Sequence, residues 1–257
     1  MSESILIHRA DGVLALTLNR PTRKNALNLS MYEALTEALR GAQSDPEVRV
    51  VLFRGEGDTF CGGNDMADFL KNPPTGPSSP VMQFLAALAG SELPLVCAVQ
   101  GGAVGIGTTM LLHCDLAYAA DDAFFKMPFV QLGLCPEAGS SLLVPGLVGQ
   151  ARAFELLVLG ERFDAAQAEQ MGFVNRVVPR ASLDAAAREA AARIAALPPD
   201  AVRTSKALLR APQREAVQRT IAEEGSAFVE RLSSPEAKEA ISAFFDKRKP
   251  DFAKLRA

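Results

Sequence analysis

The chain has 257 residues, 48% of them hydrophobic, enough to bury a large core in one domain with a smaller appendage. Its 27 basic and 30 acidic residues leave a net charge of −3, so the broad basic field that nucleic acid requires is missing and nucleic acid is not an expected partner. No stretch reaches the roughly 18 apolar residues of a membrane span, and no basic segment precedes an apolar run at the N-terminus, so a soluble protein of the cytoplasm with no membrane association is expected.

In chain order, residues 5–18 are rich in Ile, Leu and Val around Ala10-Asp11-Gly12, which predicts two strands joined by a turn. Pro21 ends the second. A helix is expected to start at Ser30, because Ser30 and Glu33 fit a capping box and Met31, Leu35 and Leu39 recur at helical spacing. Residues 48–54 read as a buried parallel strand. A glycine-rich loop at 55–63 leads through Asn64 and Asp65 into a short helix, which Asp65 is placed to cap. Residues 71–80 hold four prolines and read as a mobile surface loop, a candidate lid.

Beyond the loop, 95–99 reads as a strand, 101–107 as a tight backbone turn, 108–113 as a helix, and 116–119 and 124–127 as short strands. Strands alternating with helices at this spacing predict an α/β core of repeated strand-strand-helix turns. From Ala181 onward the pattern is helical, with apolar stripes that must pack against a partner subunit or back over the core. The expected division is a core at 1–195 and a helical region at 196–257. Cys61, Cys97, Cys114 and Cys135 lack metal or redox spacing and read as reduced, buried thiols.

Two glycine turns could carry chemistry. The run from Gly101 to Gly107 has the wrong spacing for a dinucleotide fingerprint and lacks the Gly-Lys-Ser/Thr of a phosphate loop. It leads straight into a helix, where free N–H groups face an anion. Cys61-Gly62-Gly63-Asn64-Asp65 has the same character. Two such turns can aim two N–H donors at one developing oxyanion, or they are ordinary strand-to-helix connections. The only histidines are His8, in a strand, and His113, which reads as a core residue, so a Ser-His-Asp or Cys-His arrangement lacks its base. No metal site is expected. Among carboxylates Glu137 stands out, set between Leu134-Cys135-Pro136 and Ala138-Gly139-Ser140-Ser141 with no nearby base to neutralise it. It is either a general base whose proton affinity is raised by an apolar pocket or a glutamate facing a helix dipole.

Taken together, Asn19-Arg20-Pro21 with Asn25-Ala26-Leu27, the segment Phe60 to Met66, the turn Gly101 to Gly107, Cys114-Asp115-Leu116, and Met171-Gly172-Phe173-Val174-Asn175 resemble, in order and spacing, the crotonase superfamily of enoyl-CoA hydratases and isomerases. The likeness covers nearly the whole chain. It implies a crotonase-like spiral with a helical C-terminal trimerisation region, a homotrimer or a hexamer made of two trimers, an acyl-CoA thioester as substrate, and no cofactor beyond the CoA that belongs to that substrate. It also implies an oxyanion hole from the backbone N–H groups of Asn64 and Ile106. Lys24, Ala26, Gly62, Gly63, Asn64, Asp65 and Met66 match positions that line CoA, and Lys247 either reaches a CoA phosphate, within its own chain or across the trimer, or belongs to a solvated basic tail.

Hydratases of this family carry two catalytic glutamates, at positions that here hold Thr109 and Phe129, so the pair that activates water is missing and neither residue is expected to move a proton. The segment Pro136-Glu137-Ala138-Gly139-Ser140-Ser141 instead resembles the Pro-Glu-Gly-Cys-Ser-Ser segment of peroxisomal-type 3,2-enoyl-CoA isomerases. The resemblance therefore implies a 1,3-proton shift from carbon 2 to carbon 4 by Glu137. Alternatives are a hydratase with rearranged groups, a CoA isomerase acting on ring-opened aromatic intermediates, and a catalytically silent binding scaffold, against which the net charge and Glu137 both speak.

Overall fold

The computed structural model describes residues 4–256. Strand β1 (Ile5–Ala10) turns at Asp11 and Gly12, both at positive φ, into β2 (Val13–Leu18). Helix α1 (Leu29–Ser44) follows, then β3 (Val50–Gly55), α2 (Met66–Lys71) and α3 (Pro80–Ala89). Next come β4 (Leu95–Val99), β5 (Gly102–Val104), α4 (Ile106–Thr109) with a 3-10 continuation to His113, β6 (Leu116–Ala120) and β7 (Phe124–Lys126). After α5 (Ser140–Val148) and α6 (Gln150–Phe154) lie β8 (Phe163–Asp164), α7 (Ala165–Met171) and β9 (Arg176–Val178). Four helices complete the chain: α8 (Leu183–Ala195), α9 (Pro199–Arg210), α10 (Arg214–Leu232) and α11 (Pro235–Phe245).

The strands form two sheets. One has the order β1-β2-β3-β4-β6-β9, parallel except for the β1–β2 hairpin, and the other has the order β5-β7-β8. The chain alternates between them: β4 lies in the large sheet and β5 in the small one, then β6 in the large and β7 in the small. An isolated bridge from Cys61 to Ala103 extends the small sheet by one level, so Cys61, Ala103 and Phe125 stack in successive turns. This is the expected spiral. One correction concerns 101–107, which is not a single turn. Gly102–Val104 is extended because it pairs in parallel with β7, and the chain breaks direction at Gly101 and Gly105, both at positive φ.

Residues 50–53 of β3 and the whole of β4 are apolar without interruption because both of their faces are covered. Val51, Phe53, Cys97 and Val99 face the main core with α1 and α3, while Val50, Leu52, Val96 and Ala98 face α8. Helix α8 meets the sheet through Ala187, Ala191 and Ala195, whose small side chains let helix and sheet approach closely. The helical region after Ala195 packs back over the same chain. Lys206 on α9 is buried and donates to Leu93 O and, at 2.7 Å, to Asp115, which also receives Arg210 at 3.0 Å and the Leu95 N–H. No described helix is long and apolar enough to cross a membrane. All four cysteines are free thiols, but Cys114 and Cys135 are only partly buried, since each lies at the edge of an element rather than inside the apolar stretch that suggested burial.

Helix α1 starts one residue earlier than expected, and its cap is Asn28, not Ser30. Asn28 has extended backbone (φ −101°, ψ 176°), and its side chain accepts the Met31 N–H at 3.1 Å. Ser30 is already inside the helix, where it donates to Asn28 Oδ1. An asparagine caps as well as a serine, and only the residue outside the helical region can do so. Asn28→Ala should therefore cost about 1 kcal/mol of folding stability in urea denaturation, while Ser30→Ala should stay within about 0.5 kcal/mol of the parent. The reverse ranking would restore Ser30 as the cap.

Candidate active site

Asp65 caps α2 by accepting the Asp68 N–H and pairs with Arg20 at 2.9 Å, and Arg20 also donates to Ala26 O. Leu27 then bridges the turn. Its N–H donates to Gly63 O and its carbonyl accepts the Asp65 N–H, both at 2.8 Å, which leaves the Asn64 N–H facing the other way. The Asn64 side chain is fixed separately, accepting the buried Tyr32 hydroxyl at 2.6 Å. Gly62 must be glycine because a Cβ there would lie 3.0 Å from Lys24 O. Lys24, Ala26 and the turn from Gly62 to Met66 are thus brought together. Lys24 itself is exposed and pairs with Asp58 at 2.9 Å. Lys247 is not part of this group within one chain: it follows α11, which packs against α10 and the 130–132 turn.

The second turn rests on the first. Gly105 has φ 55° and ψ −121°, a conformation open to glycine alone, and a Cβ placed on it would come 4.0 Å from the Gly63 Cα. Its N–H donates to Lys126 O, which anchors the turn to β7, and α4 begins at the next residue. Among the described residues neither the Ile106 nor the Asn64 N–H donates to any acceptor. Two turns in contact therefore each present one unused backbone donor.

Glu137 stands at the end of the 133–137 loop and is 7% exposed. Its Oε1 accepts the Thr109 hydroxyl, from the last residue of α4. Burial pushes the carboxyl up to about 8, the Thr109 hydrogen bond works against that, and the nearby Glu224 carboxylate adds to it. Phe129 is 5% exposed and lies against Gly105. Both positions at which the resemblance finds no glutamate thus border the site, one as a hydrogen-bond donor and one as an apolar wall. Thr109 thus touches the acid as a hydrogen-bond donor.

The alternative of a glutamate at a helix dipole does not describe Glu137, because that place is taken. Glu224, on α10, reaches across to accept the Gly139 N–H at 2.6 Å and the Ser141 N–H at 2.8 Å, capping α5. His113 is buried, as read, and pairs with Ala138 O at 2.7 Å. Burial lowers its pKa to about 4, so it is neutral and its Nε2 carries the proton that Ala138 O accepts. Glu224, Thr109, Tyr32 and His113 were not read as site residues. Only Glu224 left a signal, since it shares helical phase with the buried Val217, Ile221 and Phe228 and so occupies a core position. The 72–80 loop contributes to the wall of a cavity of about 350 Å³ with Leu27, Tyr32, Asp68 and Phe69, and to a second of about 500 Å³ with Met82, Ile221 and Gly225.

This fold and this pair of turns beside a buried acid define a class, and the chain belongs to it: the profile of the enoyl-CoA hydratase/isomerase family matches residues 8–255. The sequence is 35% identical to 1,2-epoxyphenylacetyl-CoA isomerase of Escherichia coli over 98% of this chain and 99% of that protein. It is 34% identical to the 2,3-dehydroadipyl-CoA hydratase of the same bacterium, with the same coverage. It is 33% identical to enoyl-CoA delta isomerase 2 of Homo sapiens, of whose length it spans 64%. Among solved structures it is similar to Pseudomonas aeruginosa OdaA, at 50% identity and a TM-score of 0.93, over 95% of this chain and 99% of that one.

The pKa of Glu137 has a consequence for stability that needs no substrate. Its folded value, about 8, lies above its ordinary 4.5, so the folded state holds this proton more tightly than the unfolded state. That contribution is complete below pH 4.5 and is lost as pH rises through 8. Glu137→Gln should remove this dependence. Relative to the parent, the variant should gain stability between pH 5 and pH 9, on the order of a few kcal/mol, in urea midpoints measured across that range. A constant difference would show that Glu137 titrates normally.

Proposed function

We propose that the protein is an enoyl-CoA isomerase that converts a 3-enoyl-CoA to a 2-enoyl-CoA, with Glu137 as its only acid/base. The carrying observation is that the buried Glu137 is bonded to the Thr109 hydroxyl of α4, the helix that starts at the unused Ile106 donor, with no second free carboxylate as its partner among the described residues. The carboxylate takes a proton from carbon 2. The electron pair moves into the thioester, forming a dienolate whose oxygen is held by the Asn64 and Ile106 N–H groups. Glu137 then returns the proton at carbon 4, and the double bond moves from carbons 3 and 4 to carbons 2 and 3. A base with raised proton affinity suits both halves of this transfer.

Hydration would need a second group to orient water. Among the described residues Glu224 is the only other carboxylate acting on Glu137, and both of its oxygens are occupied by backbone N–H groups. Lys24, Ala26 and the Gly62 to Met66 turn are assigned to the CoA moiety, Lys247 to a CoA phosphate from a neighbouring subunit, and the cavities under the 72–80 loop to the acyl chain. Self-association as a trimer or hexamer is supported by Leu208 and Leu209, 70% and 83% exposed on α9, and by exposed Phe244 and Phe245. A ring-bearing acyl-CoA is a second reading, favoured by the full-length likeness to 1,2-epoxyphenylacetyl-CoA isomerase.

Offered 3-enoyl-CoA, 2-enoyl-CoA and a ring-epoxide thioester, the protein should form 2-enoyl-CoA from the first and no 3-hydroxyacyl-CoA from the second. Glu137→Gln should lower isomerase kcat by roughly 10²–10⁴-fold with acyl-CoA affinity largely kept. Retention of more than about a tenth of the rate would remove Glu137 from the role. Thr109→Ala takes away a hydrogen bond that favours the carboxylate, so the ascending limb of kcat/KM against pH, set by deprotonation of Glu137, should move to higher pH. A limb left in place would mean that Thr109 does not act on the base.

A further inference from the structure

The peptide group between Ala138 and Gly139 is held at both ends. Its carbonyl accepts from His113 and its N–H donates to Glu224. Ala138 has φ 61° and Gly139 φ 73°, two left-handed residues in succession immediately after Glu137. For alanine that conformation is unfavourable, and it persists only where the surroundings impose it. Glu224 also accepts the Ser141 N–H, so two of the first donors of α5 end on one side chain from α10. Both donors are N–H groups, so both oxygens of Glu224 must be acceptors, which is the property of an ionised carboxylate and not of an amide.

We propose that Glu224 is a positioning residue for Glu137, gripping the turn that carries it so that the C-terminal helical region sets the geometry and the charge around the base. The proposal rests on Glu137 being the base. Glu224 is 8% exposed, and among the described residues no basic side chain pairs with it. Its own proton affinity is raised by burial and lowered by the N–H groups of Ser141 and Gly139. The ionisable groups facing Glu137 from other elements are Glu224, Tyr32 and Cys61, with Cys135 on its own loop. Burial raises Tyr32 well above its ordinary range and pushes Cys61 and Cys135 up to about 12 and about 11, so these three stay neutral through the working range. Glu224 is left as the charge that Glu137 meets.

The test compares the parent with E224Q and E224D in the full chain, by two measurements. The first is ¹³C NMR of carboxyl-labelled glutamate, in which the Glu137 signal is assigned by its loss in E137Q. In E224Q the Glu137 midpoint should fall by roughly one pH unit, because a like charge has been removed. The second is turnover of 3-enoyl-CoA. E224Q should lose roughly tenfold to hundredfold in kcat, as expected for a displaced catalytic group, with KM within about threefold. E224D, too short to reach both N–H groups, should lie between E224Q and the parent. A midpoint that moves in a chain without isomerase turnover upholds Glu224 and rejects the isomerase reading. An unmoved midpoint and an unchanged kcat in an active enzyme reject the proposal and leave that reading intact. If E224Q does not fold, hydrogen exchange of the parent decides: Gly139 and Ser141 amides as slow as those inside α5 support the grip, and amides as fast as those of an exposed loop overturn it.

Discussion

Everything at this site depends on where the chain turns after Glu137. A glutamate on an apolar loop has many ways to reach solvent, and its burial without a cation is unfavourable unless its backbone cannot follow. The Ala138–Gly139 peptide supplies that constraint, with a neutral histidine on one side and a carboxylate on the other. Because the two partners come from the 3-10 turn after α4 and from α10, the loop is tied to the core and to the C-terminal helices at once. Glu137 then has one direction left, toward the Thr109 hydroxyl.

The donor side of the site is built on a different economy, using backbone alone. In each glycine turn flanking groups are satisfied by neighbours while the Asn64 and Ile106 N–H groups are left over: Leu27 takes Gly63 and Asp65, and Lys126 takes Gly105. The spiral brings the two turns together. Cys61 and Ala103 are bridged in parallel, so the residues that follow them leave the small sheet at neighbouring levels and turn in the same sense. A side chain at Gly107, whose Cβ would lie 2.6 Å from Cys61 O, would hold the segments apart.

Much of this was legible in the sequence because it depends on residue types with local meaning. Glycines at fixed offsets, Asp65 ahead of a short helix, and a carboxylate flanked by Pro136 and Ala138 are written in short windows. The continuous apolar run that buries both faces of β3 was equally plain. What stayed hidden depends on distance along the chain. Glu224 lies 85 residues from the N–H it accepts, and nothing near it indicates a turn. Thr109 was judged by the residue it replaces, although a hydroxyl at that place still reaches the acid. Ser30 looked like the cap because Glu33 follows it, but Asn28 satisfies the same donor from just outside the helix.

The Tyr32–Asn64 hydrogen bond also makes the site optically visible. The chain has two tyrosines and no tryptophan, so its near-ultraviolet emission and dichroism come mainly from two phenol rings. Tyr118 sits in β6, in the layer under α8, whereas Tyr32 is 2% exposed with its hydroxyl on the side chain whose backbone presents a free donor. Any molecule that draws the Asn64 turn toward itself changes the strength of that phenol hydrogen bond. The protein thus holds a chromophore of its own against the donor turn.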